Sequence, residues 1–176
     1  MPIYEYKGNR PIIAKSSFIH PQAVIIGDVK IGDNCYIGAY SILRGDYGNI
    51  VIGNKTNVQE GSIIHTEPTT SALIGNNVVI GHAAIVHGPC TINDEAAIGM
   101  GAIICNGCTL EFGSMLAAGS LLAPGKIIPE KKLAMGNPAQ VVKEVTDNMA
   151  IHNKAAVNIY HDLAACCQTE LKLIKE

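Results

Sequence analysis

The sequence predicts a parallel β-helix built from hexapeptides and followed by a C-terminal helix. Three observations carry the prediction. Aliphatic residues recur at every sixth position from Ile74 through Ile80, Val86, Ile92, Ile98, Ile104, Leu110, Leu116 and Leu122 to Ile128. Two other runs keep the same period in different phases: Ile19, Ile25, Ile31, Ile37, Leu43, and then Ile52, Val58, Ile64. Four places after most of these starts the side chain is small, as at Ala23, Cys35, Ser41, Thr56, Ala84 and Ala102, and the next residue after a start is often Gly (Gly32, Gly38, Gly53, Gly81). A period of six fits neither an amphipathic helix nor a heptad coil. It fits a short strand, a tight corner and another short strand, with the aliphatic residue inside the prism and the small one in the corner.

Taken in order, the chain opens on a lead-in, MPIYEYKGNR, and enters the repeat near Ile19. Three hexads close one coil, so eighteen hexads predict about six coils ending near Pro129. The phase slips locate outward loops: nine residues separate Leu43 from Ile52, and ten separate Ile64 from Ile74. Residues 1–136 are therefore expected to form the β-helix with its lead-in, and 137–176 a helical segment packed on its outside. Asn137 with Pro138 reads as a helix cap and first turn. Tyr160, Leu163, Cys167, Leu171 and Ile174 then recur at three or four, the stripe of a helix that covers exposed strand edges.

Composition agrees with such a core. Charged residues are 16% of the 176, Gly numbers 18, Trp is absent and Phe occurs twice, so small and β-branched side chains must fill the interior. The net charge of −2, without a basic cluster, argues against nucleic-acid binding and against an anionic membrane surface. Without a long apolar run at the start or elsewhere, a cytoplasmic location is expected, with the six cysteines as free thiols. Cys105 and Cys108 have the spacing of a metal or redox pair, but Cys108 falls on an inward small position and Cys105 points out, so repeat packing explains them. Cys166 and Cys167 read as one packed and one exposed thiol.

Chemistry concentrates in the histidines. The hexads starting at Leu43, Ile64 and Val86 fall on one face of consecutive coils, so Arg44, His65 and His87 form an outward column. Neighbouring coils lie about 4.8 Å apart, close enough for two imidazoles to share an ion. The separation of 22 residues between His65 and His87 reduces to one 18-residue coil once the four-residue insertion is removed. His82 lies on another face or at its corner and cannot reach that ion within one chain. Prisms packed around a threefold axis would let a neighbouring chain supply it, giving a homotrimer with three shared sites. His20, His152 and His161 read as solvated surface. Three imidazoles with an open position suit Zn²⁺, and tolerate Fe²⁺ or Co²⁺. Hydroxide generated at such an ion attacks a small electrophile such as CO₂ or a polarised carbonyl. Arg44, Asp46, Asn57, Gln59 and Glu60 are the outward polar residues nearby, and Gln59 is expected to share the face of His82 one coil earlier.

LRGD (Leu43–Asp46), NVQEGSIIH (Asn57–His65), IGHAAIVHG (Ile80–Gly88) and the GNPAQ turn resemble the γ-class carbonic anhydrase-like hexapeptide-repeat family, closest to its bacterial PaaY/CaiE subgroup. The resemblance implies a left-handed β-helix trimer and reversible CO₂ hydration by metal-bound hydroxide at subunit interfaces. It implies His65 and His87 from one chain and His82 from the next as metal ligands, with Arg44 and Asp46 in interface ion pairs. Gln59 would orient the bound water or bicarbonate, Asn57 occupies a nearby polar position, and Tyr160 lies near the pocket. The chain departs from the family prototype in its short loop after His65, where Glu67 is the one acidic residue, and in Tyr47, which replaces an acid. Three other functions compete: a hexapeptide-repeat acyltransferase using acetyl-CoA, a metal-dependent acyl-CoA thioester hydrolase, and a non-catalytic accessory trimer.

Overall fold

The computed structural model describes residues 2–175. They form a three-faced parallel β-solenoid with one helix laid along one face. On that face seven short parallel strands stack, from Phe18–Ile19 through Asn57–Val58 and Val79–Ile80 to Lys132–Gly136, and Ala139–Glu144 pairs antiparallel at the end. The other two faces form one continuous sheet, because Val24–Ile31 and Ile42–Ile52 run unbroken through the corner between them.

All eighteen aliphatic starts point inward and are buried, none more than 8% exposed. Hydroxyls at the small positions satisfy the carbonyls of the next coil: Ser41 Oγ donates to Gln59 O at 3.0 Å, and Ser62 Oγ to Gly81 O at 2.9 Å. Corners repeat a left-handed residue in each coil, as at Tyr40, Gly61, Ala83, Gly101 and Gly119. Glycine takes that conformation without penalty, whereas Tyr40 and Ala83 are held there by the coils on either side.

Two expectations for the C-terminal part are corrected. The solenoid makes a seventh turn, with Ala134 buried six residues after Ile128. Asn137 and Pro138 cap no helix; they turn the chain between Gly136 and Ala139, which pair antiparallel. The helix is Asp147–Glu170, and its cap is Thr146, whose side chain accepts from the Met149 N–H at 3.4 Å. Its packed stripe is Val157, Tyr160, Ala164 and Cys167. Leu163 is half exposed, and Leu171 and Ile174 lie beyond the helix end. Among the described residues, no helix is long and apolar enough to cross a membrane.

Cys35, Cys90 and Cys108 are buried, Cys105 and Cys167 half-buried, and Cys166 exposed. Burial, reinforced by the neighbouring Cys108, pushes the Cys90 thiol up to about 12. Iodoacetamide at about pH 7.5 should therefore alkylate Cys166 first and spare Cys35, Cys90 and Cys108 until denaturant is added, as read by peptide mass spectrometry. Early labelling of Cys90 in the native protein would contradict the packing.

Candidate functional site

Arg44, His65 and His87 form the predicted column, Arg44 in register with His65 and His65 with His87. The two imidazole centroids are 5.5 Å apart with planes at 66°. Arg44 Nη1 donates to Asp46 Oδ2 at 2.6 Å, and the other carboxylate oxygen lies 3.2 Å from His65 Nε2. Arg44 and Asp46 thus pair with each other inside the chain. Burial raises the Asp46 carboxyl, but the bond and charge of Arg44, and then His65, outweigh it and leave the pKa below the ordinary value. Burial and then the Arg44 charge lower the His65 pKa, which keeps the ring neutral and able to act as a ligand.

His82 lies elsewhere, at the corner joining the helix face to the face of His65. Its Nδ1 is 2.7 Å from Glu60 Oε2, and its Nε2 is 3.3 Å from the Tyr160 hydroxyl on the helix. Tyr36 Oη donates to Glu60 Oε1 at 2.7 Å. Burial raises the Glu60 carboxyl, yet the bond from Tyr36, its own backbone N–H and the contact with His82 bring the net pKa below the ordinary value. Burial first, then the bond and charge of Glu60, push the Tyr36 phenol far up, so it remains a donor.

Gln59 is corrected by one position. A coil here spans 22 residues, so Glu60, and not Gln59, stands opposite His82. Gln59 is 5% exposed, and its Oε1 accepts from the His82 backbone N–H at 3.2 Å. Its Nε2 donates to Asn57 Oδ1 at 3.0 Å, while Asn57 Nδ2 is buried with no partner among the described residues. Within the chain Gln59 therefore braces the turn that carries His82.

The predicted site residues fall into two groups. Arg44, Asp46, His65 and His87 share the outer face; Asn57, Gln59, His82 and Tyr160 belong to the helix face and its corner. Among the described residues no three His, Cys, Asp or Glu side chains of one chain converge on a single ion position. The register-paired imidazoles do fit two donors of a nitrogen-ligated Zn²⁺ set. Beside them runs an outward apolar ladder, Ile42, Ile63, Ile85, Ile103 and Leu121, with Ile63 and Ile85 each 37% exposed. A cavity of about 420 Å³ between the first half of the helix and the solenoid corners contains none of these residues. Of the loop residues, Glu67 accepts from Asn106 Nδ2 at 3.1 Å, and Tyr47 is exposed. Sequence reasoning missed Tyr36 and placed Glu60 only among the outward polar residues; the 22-residue coil length was the signal that pairs Glu60 with His82.

The family described as bacterial transferase hexapeptide (six repeats) matches residues 10–45. Carnitine operon protein CaiE of Escherichia coli O157:H7 is 37% identical over 171 residues, 97% of this chain and 87% of CaiE. Two solved structures superpose closely. The product of the Bacillus cereus BC4754 gene, named provisionally as an acetyltransferase, has a TM-score of 0.90 at 36% identity, covering 92% of this chain and 94% of its own. A hexapeptide transferase family protein from Anaplasma phagocytophilum has a TM-score of 0.88 at 38% identity, covering 93% and 96%. With near-complete coverage in sequence and fold, the chain belongs to the hexapeptide-repeat family, in its CaiE/PaaY-like subgroup.

Proposed function

We propose that this protein is a homotrimer that binds Zn²⁺ between adjacent chains and hydrates CO₂ reversibly. The observation that carries the reading is the register pair His65–His87 with the Arg44–Asp46 pair against it. His65 and His87 of one chain and His82 of its neighbour would hold the ion. Zn²⁺ in such a site would supply a Lewis acid that lowers the pKa of bound water to about 7. Arg44 keeps Asp46 ionised and fixed, and Asp46 orients His65. The outward isoleucine ladder gives a second prism an apolar surface beside the histidines, in keeping with hexapeptide-repeat proteins being commonly trimeric.

A second reading is acyl transfer from acetyl-CoA. The names carried by the related structures support it, and none of those named above speaks of CO₂ hydration. Two measurements separate the readings. Protein purified without chelator should hold about one zinc per chain, and Asp46→Ala should weaken zinc binding about 10–100-fold in chelator competition. Stopped-flow CO₂ hydration should be present in the zinc-loaded trimer and lost in His87→Ala. Acetyl-CoA turnover that survives His87→Ala, without CO₂ hydration, would replace the first reading by the second.

A further inference from the structure

We propose that Glu60 is the positioning residue for His82, fixing the tautomer that carries its proton on Nδ1 and leaves Nε2 as an acceptor, with Tyr36 anchoring Glu60 in that role. The geometry is two hydrogen bonds joined by one close polar contact: Tyr36 Oη donates to Glu60 Oε1 at 2.7 Å, Glu60 Oε2 lies 2.7 Å from His82 Nδ1, and Tyr160 Oη is 3.3 Å from His82 Nε2. An ionised carboxylate only accepts, so the nitrogen facing it must be the one that bears hydrogen. The remaining nitrogen then accepts from the Tyr160 hydroxyl.

Rigidity comes from the base of this chain. Tyr36 is 6% exposed and stacks on Phe18 at 5.7 Å, and the Tyr160 ring lies 5.1 Å away on its other contact. Glu60 is thus tied at one oxygen to an immobile phenol while its other oxygen meets the imidazole. Gln59 fixes the His82 backbone as well. An imidazole whose Nδ1 is held by a carboxylate presents a more basic, pre-oriented Nε2. Tyr160 occupies that nitrogen within the chain, so a ligand taken there must displace a contact of the helix. The link to metal binding rests on the proposed function; the assignment of the tautomer does not.

The test uses the full-length protein with and without Zn²⁺. Ring ¹⁵N NMR at about pH 8.5 should show His82 with Nδ1 protonated and Nε2 bare. Glu60→Ala should convert it to a tautomer mixture and weaken zinc binding about 10–100-fold in chelator competition. Glu60→Gln should retain both, because its amide oxygen still accepts from Nδ1. Tyr36→Phe, which removes one hydroxyl from a buried ring, should shift the tautomer part of the way. A proton on Nε2 in the unsubstituted protein, or a tautomer and zinc affinity unchanged in Glu60→Ala, would overturn the assignment. If the unsubstituted protein takes up no zinc, the metal reading falls and the NMR result alone decides the role of Glu60.

Discussion

Trimers assembled from equal amounts of His65→Ala and His82→Ala chains are expected to regain zinc at about one site in four, although neither variant alone binds it. The fraction follows from the division of the histidines between two faces. A site is whole only where a chain with intact His65 and His87 abuts a chain with intact His82, and random assortment places one such pair in four. The structure gives this test its force, because His82 is committed within its chain to Glu60 and Tyr160, while His65 and His87 stand on the neighbouring face. Mixing should be done by unfolding and refolding both chains together, with zinc read by mass spectrometry or a chromogenic chelator. Zinc at full occupancy in His82→Ala alone would show that one chain suffices, and no recovery in the mixture would remove the shared site.

Gly45→Ala is expected to cost about 3 kcal/mol, lowering the unfolding temperature by roughly 6–12 °C, and to weaken zinc binding with it. A methyl group at Gly45 would lie 2.4 Å from the Asp28 carbonyl oxygen of the preceding coil, and backbone cannot swing aside as a flexible side chain can. Across the same contact, Gly27 would place its own methyl 2.3 Å from the Gly45 carbonyl. The two coils must therefore part, and Gly45 stands between Arg44 and Asp46. Their 2.6 Å hydrogen bond, and through it the orientation of His65, depends on that close approach. Thermal melts and chelator competition on the same preparation check both effects; an unchanged melt would mean that the corner relaxes freely.

Much of this was legible in the sequence because the solenoid writes its interior residue at a fixed period. Eighteen inward aliphatic positions could be counted from the period, and subtracting one insertion aligned His65 with His87. The seventh coil escaped because its inward residue is Ala134, too small to continue an aliphatic run. Asn137 with Pro138 misled because one pair of residues serves equally at a helix start and at a tight turn. Only the edge offered by Lys132–Gly136 decides for the turn. The exchange of Gln59 for Glu60 has a different cause. Outward positions at a corner carry no periodic signal, so an error of one residue there moves a side chain from solvent to a buried brace. Tyr36 became visible only when the helix closed over it.

Both insertions lie at a single corner, between the face of the histidines and the next. Arg44 pairs with His65 before it and Asn49 with Ser71 after it, so the three- and four-residue excesses are absorbed without shifting any strand. Chain length at this corner is thereby uncoupled from register. A designer could lengthen the Glu67–Thr70 turn, for instance to carry additional acidic residues beside Asp46, and the imidazoles of the next coil would keep their places.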